Sequence, residues 1–536
     1  MEEYEKRSFK SIVFLIIATF LGSVFLTSEK FVDASNTPKF FFVVVFLLFI
    51  VLTIVLALKR LNLIYTLASN PMLWGINIIC FFQACYGLFQ FLGWLSSNHS
   101  KFAITGSFDN PAGFAAVLAI GFPLSLFLFL KAKKVLRFVL ISILVVYIVA
   151  VLLSGSRSGI LAILLSSFTF FYFQTSVIEK FRKLRFYKLF SVLTFLLFVG
   201  TIVTLFYQKK DSANGRFLIW KISSEIIKDK PAFGHGVNTF QAKYMDYQAK
   251  YFKNNPDSKY ELLSDNVKHP FNEFLKVTIE FGLFGLIIIF SIILFIVWKL
   301  IKSKDEKRSV ALSGIMSLLV FACFSYPLQY IATWLFLPVY LSVLIVTKEI
   351  NLKNTAIAII LRSFIVIVCM FSFLNIYKQI NAELKWKVIA INSLNGKTRD
   401  MLPEYRKLYN TSLKNNPFFL YNYGAELNIA GKYDESIDIL MECKELFNDY
   451  DLQMILADNY QNKSDKIKAI EIYKHASHMI PARFLPLFRI FEIYKEIGHD
   501  NLAQEWAEKI LNKKVKIPSV TVSYIQNEAE TYLNSL

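Results

Sequence analysis

Charge is what this chain lacks most. Only 18% of its 536 residues are Asp, Glu, Lys or Arg, against 55% hydrophobic ones. A soluble protein of this length cannot cover its surface from so small a polar supply, so lipid must be the solvent for much of the chain. Cysteine is sparse too. Of Cys80, Cys85, Cys323, Cys369 and Cys443, four lie in apolar segments, and the set forms neither a metal-ligand nor a disulfide pattern. No nucleic-acid-binding motif occurs, so the net charge of +19 is not a nucleic-acid signal. A small-x-small cleavage site is missing after the first apolar run, 11–27, although Lys6, Arg7 and Lys10 precede it as in a signal peptide. More apolar runs follow, so this one reads as an uncleaved first span.

What the chain has instead is long apolar runs: 11–27, 39–58, 72–94, 112–130, 136–153, 159–175, 189–207, 274–298, 310–326, 328–347 and 355–377. Each is near the roughly 20 residues a helix needs to cross a bilayer. They must be helices, because an isolated strand cannot satisfy its backbone in lipid. The 53 Phe residues suit lipid-facing helices. The expected fold is all-α, a polytopic bundle of about eleven spans over 1–377. Basic residues cluster at 131–137, 180–188 and 299–308. If every run spans once, all three clusters lie on the side of the N-terminus, which makes that side cytoplasmic. The long loop 208–272 and everything after Tyr377 then lie outside.

The tail 378–536 is charged and amphipathic, with no run long enough to span. Gly431-Lys432-Tyr433-Asp434-Glu435 is echoed by Asp465-Lys466-Ile467-Lys468-Ala469 and by Gly498-His499-Asp500-Asn501-Leu502. The spacing of about 33–34 residues is the period of tetratricopeptide (TPR) helix pairs. The tail is therefore expected to be an α-helical repeat domain, whose stacked helices present a concave face to a partner protein.

Four stretches have the polar residues that chemistry at an outer membrane surface needs. The first is Gly106-Ser107-Phe108-Asp109-Asn110-Pro111, where Asn-Pro forces a turn and Pro suits a first helical turn. A plain helix cap explains Asn110 equally well. The second, Ser154-Gly155-Ser156-Arg157-Ser158-Gly159, is wedged between two spans. Arg157 at that depth is unfavourable unless it is paired or binds an anion, and the small residues around it expose backbone N–H groups that suit phosphate. Snorkelling to lipid headgroups is the plainer alternative. The third is Asn214-Gly215-Arg216-Phe217-Leu218-Ile219-Trp220 followed by Pro231-Ala232-Phe233-Gly234-His235-Gly236. Leu218, Ile219, Ile222, Ile226 and Ile227 give a short amphipathic helix expected to lie on the membrane, with Arg216 at its start. His235 between glycines is most simply a turn residue. The fourth is His269-Pro270-Phe271-Asn272-Glu273-Phe274-Leu275, then Glu280-Phe281-Gly282. A carboxylate within a span, Glu280, is a functional candidate by default. His269 has the chemistry of a general base.

In this order the four stretches resemble the signature of the O-antigen ligase and polymerase superfamily of bacterial envelope glycosyltransferases. That signature has a G-x-F-x-N-P segment, a Ser-Arg-small segment, R-x-x-x-W followed by P-x-x-G-x-G, and a His/Asn-x-x-Leu…Glu-x-Gly stretch. The resemblance covers roughly residues 100–290. It implies a GT-C-like bundle in the bacterial cytoplasmic (inner) membrane, with the C-terminal domain extracytoplasmic. It also implies transfer of a glycan from undecaprenyl diphosphate to an acceptor hydroxyl on the outer face, with no nucleotide, metal or other cofactor. Three acceptors compete: lipid A core, the growing glycan, and protein. The resemblance points to Arg157 and Arg216 as diphosphate clamps and to His269 as the base, with Asn110, Ser156, His235, Asn272 and Glu273 in support. The usual motif places His immediately before Asn, and here that position is Phe271. Either the turn differs, or His269 substitutes from three residues before Asn272, or Glu273 or Glu280 does the work. A transporter is disfavoured because no repeat relates the two halves of the membrane region. A scaffold needs far fewer spans.

Overall fold

The computed structural model describes residues 2–57, 67, 69–174, 187, 200, 204, 210–344 and 356–536, and among them every regular element is a helix. In chain order these are α1 (Glu2–Phe25), α2 (Asn36–Ala57), α3 (Asn70–Phe91), α4 (Pro111–Lys131), α5 (Lys134–Leu153), α6 (Arg157–Phe173), α7 (Lys210–Asp229), α8 (Thr239–Asn254), α9 (Glu273–Lys302), α10 (Arg308–Phe324), α11 (Ile331–Leu341) and α12 (Ala356–Asn392). Then follow α13 (Thr398–Tyr409), α14 (Pro417–Ile429), α15 (Tyr433–Lys444), α16 (Tyr450–Asn462), α17 (Lys466–Met479), α18 (Leu485–Glu496), α19 (Asp500–Leu511) and α20 (Val520–Asn534). Among the described residues six helices are long and apolar enough to cross a membrane, and four shorter apolar ones accompany them. Ten of the eleven expected runs fall largely on these helices; the run 189–207 lies outside the described residues except at 200 and 204. The chain is a multi-pass helical membrane protein.

Two compact units emerge: Met1–Gln208 with Phe271–Glu273 and Ile289–Leu384, and Lys209–Pro270 with Phe274–Ile288 and Lys385–Leu536. The expected boundary at 377/378 falls inside α12, and the long loop 208–272 groups with the C-terminal helices.

In the first unit α4 is the central helix, with an apolar window 89% buried. Small residues let neighbours approach it. A Cβ on Gly113 would lie 2.7 Å from the Tyr330 ring. Polar groups inside this bundle satisfy one another, as lipid cannot. The Tyr147 hydroxyl donates to the Asn77 carbonyl oxygen at 2.7 Å, and Ser125 bonds the Asn77 side chain. Helix α1 packs against α2 and α3, and Phe20 sits in the core. The apolar face of α12, with Phe364 and Phe371, stays exposed, as a lipid-facing surface does.

In the second unit α14 to α20 each pack on their sequence neighbours. The turns between paired helices place Gly431, Ser464 and Gly498 in the left-handed region, at φ of 79°, 66° and 72°. These turns recur after 33 and 34 residues, so Ser464 adopts a backbone that its two counterparts reach with Gly. Helix α8 packs on α17. Gln248 donates to the Met479 carbonyl at 2.7 Å, and His475 Nε2 meets Asp246 Oδ1 at 2.8 Å. Asn448 donates to the same Asp246 oxygen at 2.8 Å. Burial alone would raise the Asp246 carboxyl, but His475, Lys444 and Asn448 hold it below the usual carboxylate range.

Candidate functional site

Five of the proposed site residues begin helices or sit beside their starts in the first unit. Asn110 Oδ1 accepts from the Ala112 N–H at 2.9 Å, capping α4 ahead of Pro111. The loop before it is clamped by residues that sequence reasoning missed. Gln90 Oε1 accepts from the Gly106 N–H at 2.7 Å and Gln90 Nε2 donates to the Gly106 carbonyl at 3.0 Å. Lys39, buried at 1% exposure, donates from Nζ to the Ser107 carbonyl at 2.6 Å and lies 4.0 Å from the Phe108 ring centroid. The available signal was a lone Lys at the head of an otherwise uncharged apolar run. Gly155, at φ 66°, turns the chain between α5 and α6. Ser156 Oγ then accepts from the Gly159 N–H at 3.2 Å and caps α6. Arg157 is the first residue of that helix, where the positive end of the macrodipole adds to the guanidinium and favours an anion.

Also in the first unit, Phe271, Asn272 and Glu273 lead into α9. Phe271 occupies the position where the resembled motif has His. Its φ is 53°, unfavourable for a bulky residue, and its ring meets Tyr326 edge-on at 5.3 Å. Glu273 is buried, and its Oε1 accepts from the Leu328 N–H at 3.1 Å.

In the second unit the helix that carries Arg216 is hydrogen-bonded to the turn that carries His269. The two residues stand on separate segments, α7 and the turn before α9. Trp220 lies one turn after Arg216 on the same helix face. Its indole N–H donates at 3.0 Å to the carbonyl of Pro270, the residue after His269. The face carrying Arg216 is thereby tied to the turn carrying His269. Burial, then the charges of Lys276 and Lys268, lower the His269 pKa to about 4. The imidazole is neutral at physiological pH, and a weaker base than an ordinary imidazole. The apolar stripe of α7 is not a membrane-facing surface. Leu218, Ile219, Ile222 and Ile226 are buried within this unit, where α7 packs on α8, because protein covers the stripe that periodicity alone assigned to lipid.

His235 and Glu280 are held in a backbone pairing that the glycine motif makes possible. Helix α9 breaks at Gly282, with φ 67° and ψ −169°. The segment 231–236 lies along the break. His235 N–H donates to the Ile279 carbonyl at 2.8 Å, Gly236 N–H to the Glu280 carbonyl at 2.9 Å, and Leu283 N–H to the Pro231 carbonyl at 2.8 Å. A Cβ on Gly234 would lie 2.5 Å from the Glu280 carbonyl carbon, and one on Gly282 2.1 Å from the Ala232 carbonyl oxygen. The motif therefore serves close approach of two backbones, and a solitary turn is not its role. His235 Nε2 lies 2.8 Å from the Ile226 carbonyl and ties down the end of α7. Glu280 Oε1 accepts from the Asn238 N–H at 3.1 Å and so anchors the start of α8. Among the described residues no group of three or more His, Cys, Asp or Glu is placed to hold a metal ion.

Residues 143–290 match the family model described as O-Antigen ligase. The matched stretch contains Arg157, Arg216, His235, His269 and Glu280, whereas the Gly106–Pro111 segment lies before it. The match supports the O-antigen ligase superfamily and, in broad terms, a glycosyl-transferring role for a multi-pass membrane protein that contains this domain. No curated protein matches the chain.

Proposed function

We propose that this chain moves a glycan from undecaprenyl diphosphate to an acceptor hydroxyl at the outer face of the bacterial cytoplasmic membrane, as an O-antigen ligase does. His269 takes the proton from the acceptor hydroxyl. The acceptor oxygen forms a bond to the anomeric carbon, and the bond from that carbon to the diphosphate breaks. The electron pair leaves with undecaprenyl diphosphate. Arg157 and Arg216 bind the diphosphate oxygens, and their planar forks neutralise the charge that grows on the leaving group. The observation that carries this reading is the Trp220–Pro270 hydrogen bond, which holds the Arg216 face against the turn of a neutral His269. Glu280, His235 and Asn110 support the site by fixing backbone.

A second acceptor reading, transfer to a protein hydroxyl, is favoured by one contact. Helix α8, on the loop between Arg216 and His269, packs directly on the repeat helix α17, so a protein held by the repeats would be coupled to the loop.

The test is transfer in proteoliposomes containing a lipid-linked glycan and, separately, lipid A core, a glycan primer or an acceptor protein. Each single substitution Arg157→Ala, Arg216→Ala and His269→Ala should lower transfer by about 100-fold or more while the protein still inserts and folds. Wild-type transfer rates in all three variants sink the reading.

A further inference from the structure

The second unit contains a cavity of about 610 Å³ between α13 and α14, far along the chain from the residues discussed above. That volume is within the ~300–1,000 Å³ typical of small-ligand sites. Its walls follow from two helix stripes. Arg399, Pro403 and Arg406 recur at helical spacing on α13, Asn410 follows at its C-terminal end, and Tyr423 and Leu427 face them from α14. Lys407 and, in the turn after α14, Lys432 complete a lining with four cations and no carboxylate. Glu435 pairs with Arg406 and Lys432, and Glu404 pairs with Lys407. Arg399 has no ion-pair partner among the described residues, so the cavity keeps a net positive charge after its pairs are counted. The floor is apolar: Leu427 and Tyr423 are buried, and Tyr423 is stacked on Tyr405 at 5.4 Å with an interplanar angle of 3°.

We propose that this cavity binds an acidic saccharide, a sugar bearing a carboxylate or phosphate group, from the glycan being transferred. The inference rests on the glycan-transfer reading, and it assigns a charge class to the glycan. A pocket of this size admits a sugar ring, the apolar floor matches a ring's C–H face, and the cationic rim meets its anion. An exposed guanidinium without a carboxylate partner is the group best able to supply a forked contact to that anion.

The experiment uses the full chain in nanodiscs and measures binding of an oligogalacturonide, of a phosphorylated oligosaccharide, and of a neutral oligosaccharide of equal length. An acidic probe should bind with a salt-dependent affinity, and the neutral one should bind at least about tenfold more weakly. Which acidic probe binds identifies carboxylate or phosphate as the anion. Arg399→Glu should weaken acidic binding by about tenfold or more and leave the melting temperature unchanged. Equal binding of acidic and neutral probes, no effect of Arg399→Glu, or tighter binding of an acidic peptide of matched charge overturns the proposal. His269→Ala separates the two readings. It should abolish transfer and leave acidic-saccharide binding intact. Transfer without acidic binding defeats the pocket alone, and acidic binding without transfer from a lipid-linked donor defeats the catalytic reading alone.

Discussion

Trp220 donates its indole N–H to the carbonyl oxygen of Pro270 at 3.0 Å, joining helix α7 to the turn that presents His269. Sequence separates the two residues by fifty positions. The bond joins the Arg216 face to that turn, so its loss should loosen the site before it unfolds the unit. Trp220→Phe keeps the apolar bulk and deletes the donor. It should cost about 1 kcal/mol of stability and lower transfer by roughly tenfold through misplacement of His269. Thermal unfolding and transfer assays on the same preparation check both; an unchanged rate with a lowered melting temperature would show that the bond serves stability alone.

His269 sets a pH dependence with a definite sign. Burial and two lysines oppose its protonation, lowering its pKa to about 4 against an ordinary 6.5. Between those values the folded chain binds fewer protons than the unfolded one, so stability falls as pH drops from 6.5 towards 4 and levels off below. His269→Gln should remove that loss. The transfer rate of the wild type should show no titration of this imidazole between about pH 5 and 8. A rate that halves near pH 6.5 with the dependence abolished in His269→Gln would mean that the imidazole is solvated and titrates normally.

The glycines of the third and fourth stretches differ in what they tolerate. Gly282 adopts φ 67° with the Ala232 carbonyl where its Cβ would go, whereas Gly215, inside α7, has nothing within 4 Å of that position among the described residues. Gly282→Ala combines strain with a backbone clash and should destabilise by more than about 2 kcal/mol and abolish transfer. Gly215→Ala should stabilise by about 0.5–1 kcal/mol, because alanine suits a helix interior and there is room for it. Melting temperatures of the two variants, measured side by side in detergent, decide the matter.

These contrasts mark where sequence was informative. The spans were legible because lipid leaves the backbone one solution, and the start of α4 because Asn110-Pro111 is cap chemistry at the head of an apolar run. The pairing of 231–236 with the break in α9 was not legible. Gly234-His235-Gly236 has the composition of a turn, and only the distant Gly282 shows why two backbones must approach. The stripe of α7 was misassigned for a related reason: periodicity shows that a face is covered, not whether lipid or protein covers it. Phe271 posed a third kind of problem. Its composition reads as one more aromatic near a span, while its positive φ and its contact with Tyr326 arise from the fold.

Helix α8 carries a final test of how the loop is packed. Tyr244 is fully buried, and among the described residues its hydroxyl has no hydrogen-bond partner. Burying a hydroxyl unpaired is unfavourable by roughly 1–3 kcal/mol. The ring, in contrast, packs against Phe240 at 5.1 Å and is part of the covered face. The two halves of the side chain thus act in opposite directions. Tyr244→Phe should raise stability by about 1 kcal/mol, and Tyr244→Ala should lower it by about 3–5 kcal/mol through the cavity it leaves. Hydrogen exchange of α8 and thermal unfolding of the full chain report on both. If Tyr244→Phe destabilises, the hydroxyl has a partner such as an ordered water, and α8 packs around bound water.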